Sequence, residues 1–178
     1  MKINIFSIPL YATTIDVNEI RINHVDFVNT WLSKTESSHN FNNEVCPDST
    51  KYLLKNVSDL ISEDIGKPHR LHLKNIWENH YKENDYQDRH THPMSHFSFV
   101  IYKKILESHT LFFHPAEKLL QSYYENMELP IFMENFKPDL KQGQLLVFPS
   151  FLEHMVLKHN HSETIAGNIL IELLEKKS

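Results

Sequence analysis

The hydrophobic residues of this chain change their period once, near His69. Before that point they recur at helical spacing, and after it they come in short runs rich in Val, Ile, Leu, Phe and Tyr. Asn18 is placed to cap a helix whose apolar face runs through Ile20, His24, Phe27, Val28 and Trp31, until the polar stretch from Ser33 to Asn43 breaks it. Asp48 and Ser49 introduce a second helix with Tyr52, Leu53, Val57, Leu60 and Ile61 on one stripe, ending near Gly66-Lys67-Pro68. From His69 onward, residues 70–77, 97–102, 110–113, 131–136, 145–148, 155–157 and 164–173 read as strands, and Gly143 precedes QLLVFP as a turn glycine should. Segment 115–127 fits either a helical turn or a lid. Two helices followed by about seven short strands predict a mainly β sandwich or barrel with both helices packed on one sheet.

At 178 residues and 21.1 kDa the chain is expected to form a single domain, 1–178, with 1–68 as N-terminal strand and helices and 69–178 as the β core. The apolar opening MKINIFSIPLYATT lacks a long hydrophobic region and a small-residue cleavage site, so it reads as a strand and not a signal peptide. No run approaches the roughly 18 apolar residues of a membrane span. A net charge of -5 without a basic block argues against nucleic acid. Cys46 is the only cysteine, so a disulfide framework is impossible and a reducing, cytoplasmic setting is expected.

Two segments carry chemistry. In RHTHPMSHFSFVIY, His90-x-His92 puts two imidazoles on one side of an extended chain, and imidazole nitrogen is a good donor for divalent iron, zinc, copper or nickel. In GQLLVFPSFLEHMV, a turn glycine, an apolar strand and a Pro149-Ser150 break lead to His154 at the head of another strand. Each alone fits a solvated or half-buried histidine. Together, in a small jelly roll, the three would converge on one metal with positions left open for substrate and dioxygen. Asp85 and Asp88 are alternatives to His92 as third ligand, or acceptors for an imidazole N–H.

In chain order the sequence carries IFSIPL, Trp77-Glu78-Asn79, His90-Thr91-His92, the run Ser98 to Tyr102, Gly143 through His154-Met155-Val156, and Ala166-Gly167-Asn168-Ile169. These blocks resemble, collinearly and over almost the whole chain, the small 2-oxoglutarate/Fe(II)-dependent oxygenases of bacteria and phages. The resemblance implies a double-stranded β-helix, a cupin-like jelly roll, with Fe(II) at its open end and 2-oxoglutarate as co-substrate. His90, His92 and His154 then take the catalytic metal-ligand positions, with His92 where the wider superfamily usually has a carboxylate.

The family's arginine for the remote carboxylate of 2-oxoglutarate falls, counting back from Asn168, on Ser162, and no arginine follows Arg89. Strand parity turns Ser162, Thr164, Ala166 and Asn168 toward the barrel interior. Ser162, Thr164 and Asn168 are therefore candidate co-substrate contacts, with Lys158 as the substitute cation. His159 and His161 read as solvent-exposed turn residues, His109 or His114 reaches the pocket mouth, and Glu117 and Glu125 read as solvated charge.

The leading expectation is a non-haem Fe(II) oxygenase, 2-oxoglutarate-dependent, that hydroxylates or otherwise oxidises a small molecule or peptide side chain, with a homodimer as one possible assembly. The alternatives are a three-His cupin-type dioxygenase or oxidase that does not use 2-oxoglutarate, and a non-catalytic jelly-roll binding module.

Overall fold

The structure, a computed structural model, describes residues 7–23, 26–29, 33–124 and 135–174. In chain order the elements are β1 (Tyr11–Thr14), a 3-10 turn (Val17–Glu19), β2 (Ile22–Asn23), β3 (Val28–Asn29), β4 (Ser33–Lys34), β5 (Glu36–Ser37), β6 (Glu44–Val45) and α1 (Pro47–Ile65). Then come β7 (His69–Tyr81), β8 (Asp85–His90), β9 (Phe97–Lys104), β10 (Thr110–Phe113), α2 (Glu117–Tyr124), β11 (Asn135–Phe136), β12 (Gln144–Pro149), β13 (His154–His159) and β14 (Ser162–Leu173). The large sheet runs β1-β12-β9-β14-β7-β5-β3 and the small one β11-β10-β13-β8-β4, with β2 and β6 as a separate pair. All pairings are antiparallel, and the two facing sheets form the expected double-stranded β-helix.

The large sheet is buried on both faces, which explains why QLLVFP reads as a continuous apolar run. Leu145 and Val147 point, with Phe99, Ile101, Ile165 and Ile169, toward Leu53, Val57 and Ile61 of α1. Leu146 and Phe148, one residue out of phase, join Tyr102, Phe112, Leu140 and Leu152 between the sheets. The helix itself follows the sequence closely. Pro47 opens it, Leu53, Val57 and Ile61 are its buried stripe, and Gly66 ends it at φ 62° with its N–H on the Ser62 carbonyl. Ser49 does not cap it. Its hydroxyl donates to the Glu19 carbonyl and accepts from the Arg21 N–H, fastening the N-terminal segment to the helix.

The first expected helix does not form, so one helix, not two, covers the large sheet. Asp16 accepts from the Asn18 N–H and closes a single 3-10 turn; Ile22–Asn23 then pairs with β6, and Val28–Asn29 pairs with β5. The segment is rich in β-branched and Asp/Asn residues, which spoil helix interiors by crowding and by competing for backbone groups. Its His24 and Trp31 lie outside the described residues, as do 131–134 of an expected strand. The second helix is α2, in the segment that fitted a helical turn or a lid. Among the described residues no helix is long and apolar enough to cross a membrane.

β14 pairs with β7 from Ser162↔Tyr81 to Leu173↔His69 and with β9 on its other side. At Gly167 the neighbours close in: an added Cβ would lie 2.5 Å from the Asn75 carbonyl oxygen and 2.6 Å from the Phe99 ring. Gly167→Ala should therefore destabilise the protein by about 2 kcal/mol or more, because backbone cannot yield as a side chain does. Chemical denaturation monitored by circular dichroism measures this, and an unchanged midpoint would contradict the packing.

Candidate metal centre and cavity

His90 ends β8, His154 begins β13, and the two stand directly opposite each other in the ladder of the small sheet. His92 follows β8 by two residues, and its backbone N–H donates to the Ser150 carbonyl at 3.0 Å. The three rings lie 4.4 Å (His90–His154), 5.1 Å (His90–His92) and 5.1 Å (His92–His154) apart between centroids. One nitrogen from each lies within 4.8 Å of the others, the spacing of ligands around one ion. The Nδ1 of His90 is 2.6 Å from the Asp88 carbonyl and that of His154 is 3.0 Å from the Leu152 carbonyl. Nδ1–H donates in both, so Nε2 carries the lone pair that can bind a metal.

Electrostatics favour the same state. Burial, then the neighbouring rings, push the His154 pKa well below the ordinary histidine value. Burial also lowers His90, and burial with the His90 field brings His92 down to about 3. Neutral imidazoles are the ligating form. Phe148 packs edge-on against His154 at 4.8 Å, and Trp77 lies 5.7 Å from the His92 ring. Neither aspartate joins the cluster. Asp88 offers His90 its carbonyl, and buried Asp85 accepts from the Lys82 N–H with Lys34 3.8 Å away. The donor set fits Fe(II), with the cavity side left open.

A second cluster with metal-ligand spacing, Glu78, His80 and Glu163, lies elsewhere. There the Lys103 ammonium bonds Glu78 and sits 3.3 Å from Glu163, so a cation is already supplied by the chain.

The triad borders a cavity of about 420 Å³ between the sheets. Its wall on β14 is Ser162, Thr164, Ala166 and Asn168, the parity read from the sequence. Register stacks these in rows: Tyr81 beside Ser162, Asn79 and Tyr102 beside Thr164, Trp77 and Val100 beside Ala166, Asn75 and Ser98 beside Asn168. Ser162 and Thr164 face the cavity while bonded to His159 at 2.5 Å and Asn79 at 3.3 Å, and Asn168 is held on both sides. Its amide donates to Asn75 at 2.9 Å and its carbonyl accepts from Ser98 at 2.7 Å. Lys158 does not line the cavity. It is exposed, with Nζ 5.6 Å from the centre of the Tyr86 ring.

His159, expected in solvent, is instead 8% exposed and lines the cavity, as does His109. The KHNHSE turn reads as polar, but His159 still belongs to β13, where a register shift between Val156 and His159 breaks the alternation from His154 and turns His159, not Lys158, inward opposite Asp85. Glu117 is also mostly buried, 2.6 Å from Arg89. Asn79 and Tyr102 stand in the blocks that carry the family resemblance but had no role assigned, and Tyr81 was not singled out. Their position opposite the interior face of β14 is what marks them as cavity residues.

The sequence profile of the family described as "Putative 2OG-Fe(II) oxygenase" matches residues 75–166, the stretch holding all three histidines. The chain belongs to this family. It is therefore an enzyme of the Fe(II)- and 2-oxoglutarate-dependent class, which favours the leading expectation over its two alternatives. No curated protein matches it. Its fold is similar to that of a crystallised oxidoreductase of the 2OG-Fe(II) oxygenase family from Burkholderia pseudomallei, with a TM-score of 0.50, 13% identity, 92% of this chain and 73% of that one covered. It is similar also to HygX from Streptomyces hygroscopicus with nickel and 2-oxoglutarate bound, at 0.50 and 13% over 81% and 72% of the two chains. The α-ketoglutarate-dependent epimerase SnoN from nogalamycin biosynthesis gives 0.50 and 12% over 87% and 70%.

Burying three neutral imidazoles has a pH cost of known sign. Their protonation is favoured in the unfolded chain, so stability is complete above the unfolded value of 6.5 and falls as the pH drops toward the folded values, about 3 for His92. The metal-free protein should lose thermal stability across that window by circular dichroism, and His92→Gln should flatten the slope. A melting temperature that ignores pH there would contradict neutral burial.

Proposed function

We propose that His90, His92 and His154 hold the Fe(II) of a 2-oxoglutarate-dependent oxygenase that oxidises a small molecule or a peptide side chain. The observation that carries this reading is the convergence of three imidazoles, His154 buried and His90 and His92 half-buried, on one wall of a cavity of about 420 Å³. The bound iron supplies the means of activating dioxygen with the 2-oxo acid as reductant.

The chain's own residues do the rest. Carbonyls of Asp88 and Leu152 fix the tautomers of His90 and His154, and the Ser150 carbonyl anchors the backbone of His92. Phe112, Phe148 and Trp77 keep water from one side of the triad. Ser162 and Thr164 offer hydroxyls to the co-substrate, and the wall formed by His39, Asn40, Asn75 and Trp77 is where a substrate meets the site. No side chain is required as a general base, since hydrogen abstraction needs none. Residues 1–178 act as one domain in this reading, and a cytoplasmic location fits a chain with a single cysteine.

The test is anaerobic. Adding Fe(II) and then 2-oxoglutarate should produce a visible metal-to-ligand charge-transfer band. Removing a partner one shell out from a metal costs roughly 10- to 100-fold, so His154→Ala should lose stoichiometric iron and at least about a hundredfold in 2-oxoglutarate turnover. Iron bound without a band would favour a centre that does not use 2-oxoglutarate. Undiminished iron in His154→Ala would sink the ligand assignment.

A further inference from the structure

The cavity has two unlike ends. Beyond Trp77 it reaches the exposed His39, Asn40 and Lys74, and in the other direction it closes on Tyr81, His109, His159 and Ser162. Glu107, His109, His159 and Ser162 also line a smaller cleft on the far side, so they form the wall between the two spaces, with the Glu107 carboxylate paired to Lys137 at 3.2 Å. Among the described residues no lysine or arginine lines this end. Neither Arg21, Arg70 nor Arg89 lines the cavity, and Lys74 sits at the opposite end with its ammonium 2.9 Å from the Met94 carbonyl. Among the described lining residues there, only His109 and His159 can carry positive charge.

Their hydrogen bonds make that charge usable. The two rings stack at 4.3 Å and 17°, and Tyr81 covers the other imidazole contact of His159 at 4.7 Å. Nδ1 of His159 is 2.8 Å from the Leu157 carbonyl and donates to it. In the neutral ring Nε2 must therefore accept from the Ser162 hydroxyl, 2.5 Å away. Once the ring is protonated Nε2–H becomes the donor, and the Ser162 proton is released to face the cavity. A single proton thus adds a charge and turns a hydroxyl toward a bound anion.

We propose that this end of the cavity receives the remote carboxylate of a dicarboxylic co-substrate without a fixed cation, His159 acting through Ser162, with His109 behind it, as a titratable positioning residue. The proposal rests on the reading that the other end of that co-substrate meets the triad.

The surrounding charges set the direction. Burial lowers the His159 pKa most, and buried Asp85, opposite it in the ladder, opposes that. His109 is lowered by burial and by the facing His159, while Glu107 raises it and Lys137 lowers it. Tyr81 and Tyr102 keep their protons, since burial raises both phenols. The pair is therefore neutral when the site is free, mutual repulsion allows one proton on it, and a dianion brings that proton in.

The test uses nickel-loaded protein, which binds without turning over, and isothermal titration with 2-oxoglutarate in buffers of different ionisation enthalpy. Binding should take up close to one proton and weaken about tenfold per pH unit between about pH 6.5 and about pH 8. 2-Oxobutyrate, which lacks the remote carboxylate, should take up none. His159→Gln should weaken 2-oxoglutarate binding about tenfold and abolish its pH dependence, while Ser162→Arg should restore affinity and also abolish it. Equal pH-independent binding by wild type and His159→Gln would overturn this inference and leave the co-substrate reading standing. No binding at any pH to the nickel-loaded protein would instead overturn that reading. Should either variant misfold, the wild-type proton count and the 2-oxobutyrate comparison decide alone.

Discussion

Asn168 donates to the exposed Asn75 and accepts from Ser98, and the Ser98 hydroxyl lies 2.8 Å from that of Ser150, so three strands and a turn are fastened through three buried side chains, Ser98, Ser150 and Asn168. Ser150 is 0% exposed and its carbonyl accepts the backbone N–H of His92. The chain of bonds therefore runs from the middle of the large sheet to the one histidine of the triad that no strand holds. The buried members, Ser98, Ser150 and Asn168, are satisfied by one another and not by solvent. Losing one would strand its neighbours at about 1 to 3 kcal/mol apiece. A metal ligand in a loop needs such support, since displacements of an ångström matter to ligation.

The same chain of bonds gives the sequence blocks a physical meaning. Ser98 stands in SFVIY, Ser150 in FPS and Asn168 in AGNI, far apart in sequence and adjacent in the fold. Gly167 accompanies Asn168 because the Phe99 ring and the Asn75 carbonyl occupy the space of its missing side chain. Asn75 closes the loop of the argument: its side chain holds Asn168 while its backbone excludes a Cβ at Gly167.

Much of this was legible in the chain before folding. The stripe of α1, the interior parity of β14 and the three histidines follow from period, turn chemistry and the order of motifs. What was not legible has common causes. The segment after Asn18 has helical spacing of apolar residues, yet Asp16 closes one turn and the β-branched run then finds edge pairing. β8, DYQDRH, has almost no apolar residue to announce a strand, and it exists because β13 and β4 pair with it from both sides. His159 looked like part of a polar turn because burial at a strand's last residue depends on the partner strand, here Asp85 across the ladder.

The loss of the arginine and the burial of His159 are two sides of one constraint. A guanidinium keeps its charge in any environment, so a site built on it carries the desolvation cost of a cation whether or not a ligand is present. An imidazole avoids that cost by staying neutral until an anion arrives, then gains its proton where the field is most favourable. Buried Asp85, held by the Lys82 N–H, stands close enough to assist that proton. Ser162 in place of a long side chain leaves room for this arrangement, which needs the ring and the carboxylate on neighbouring strands of the small sheet and the hydroxyl on β14 of the large one. The metal end of the cavity depends on imidazoles that stay neutral, and the far end on one that need not. Burial alone does not separate the two, since it lowers all of these groups. The difference lies in their neighbours: cationic fields and other rings around His92 and His154, a carboxylate beside His159.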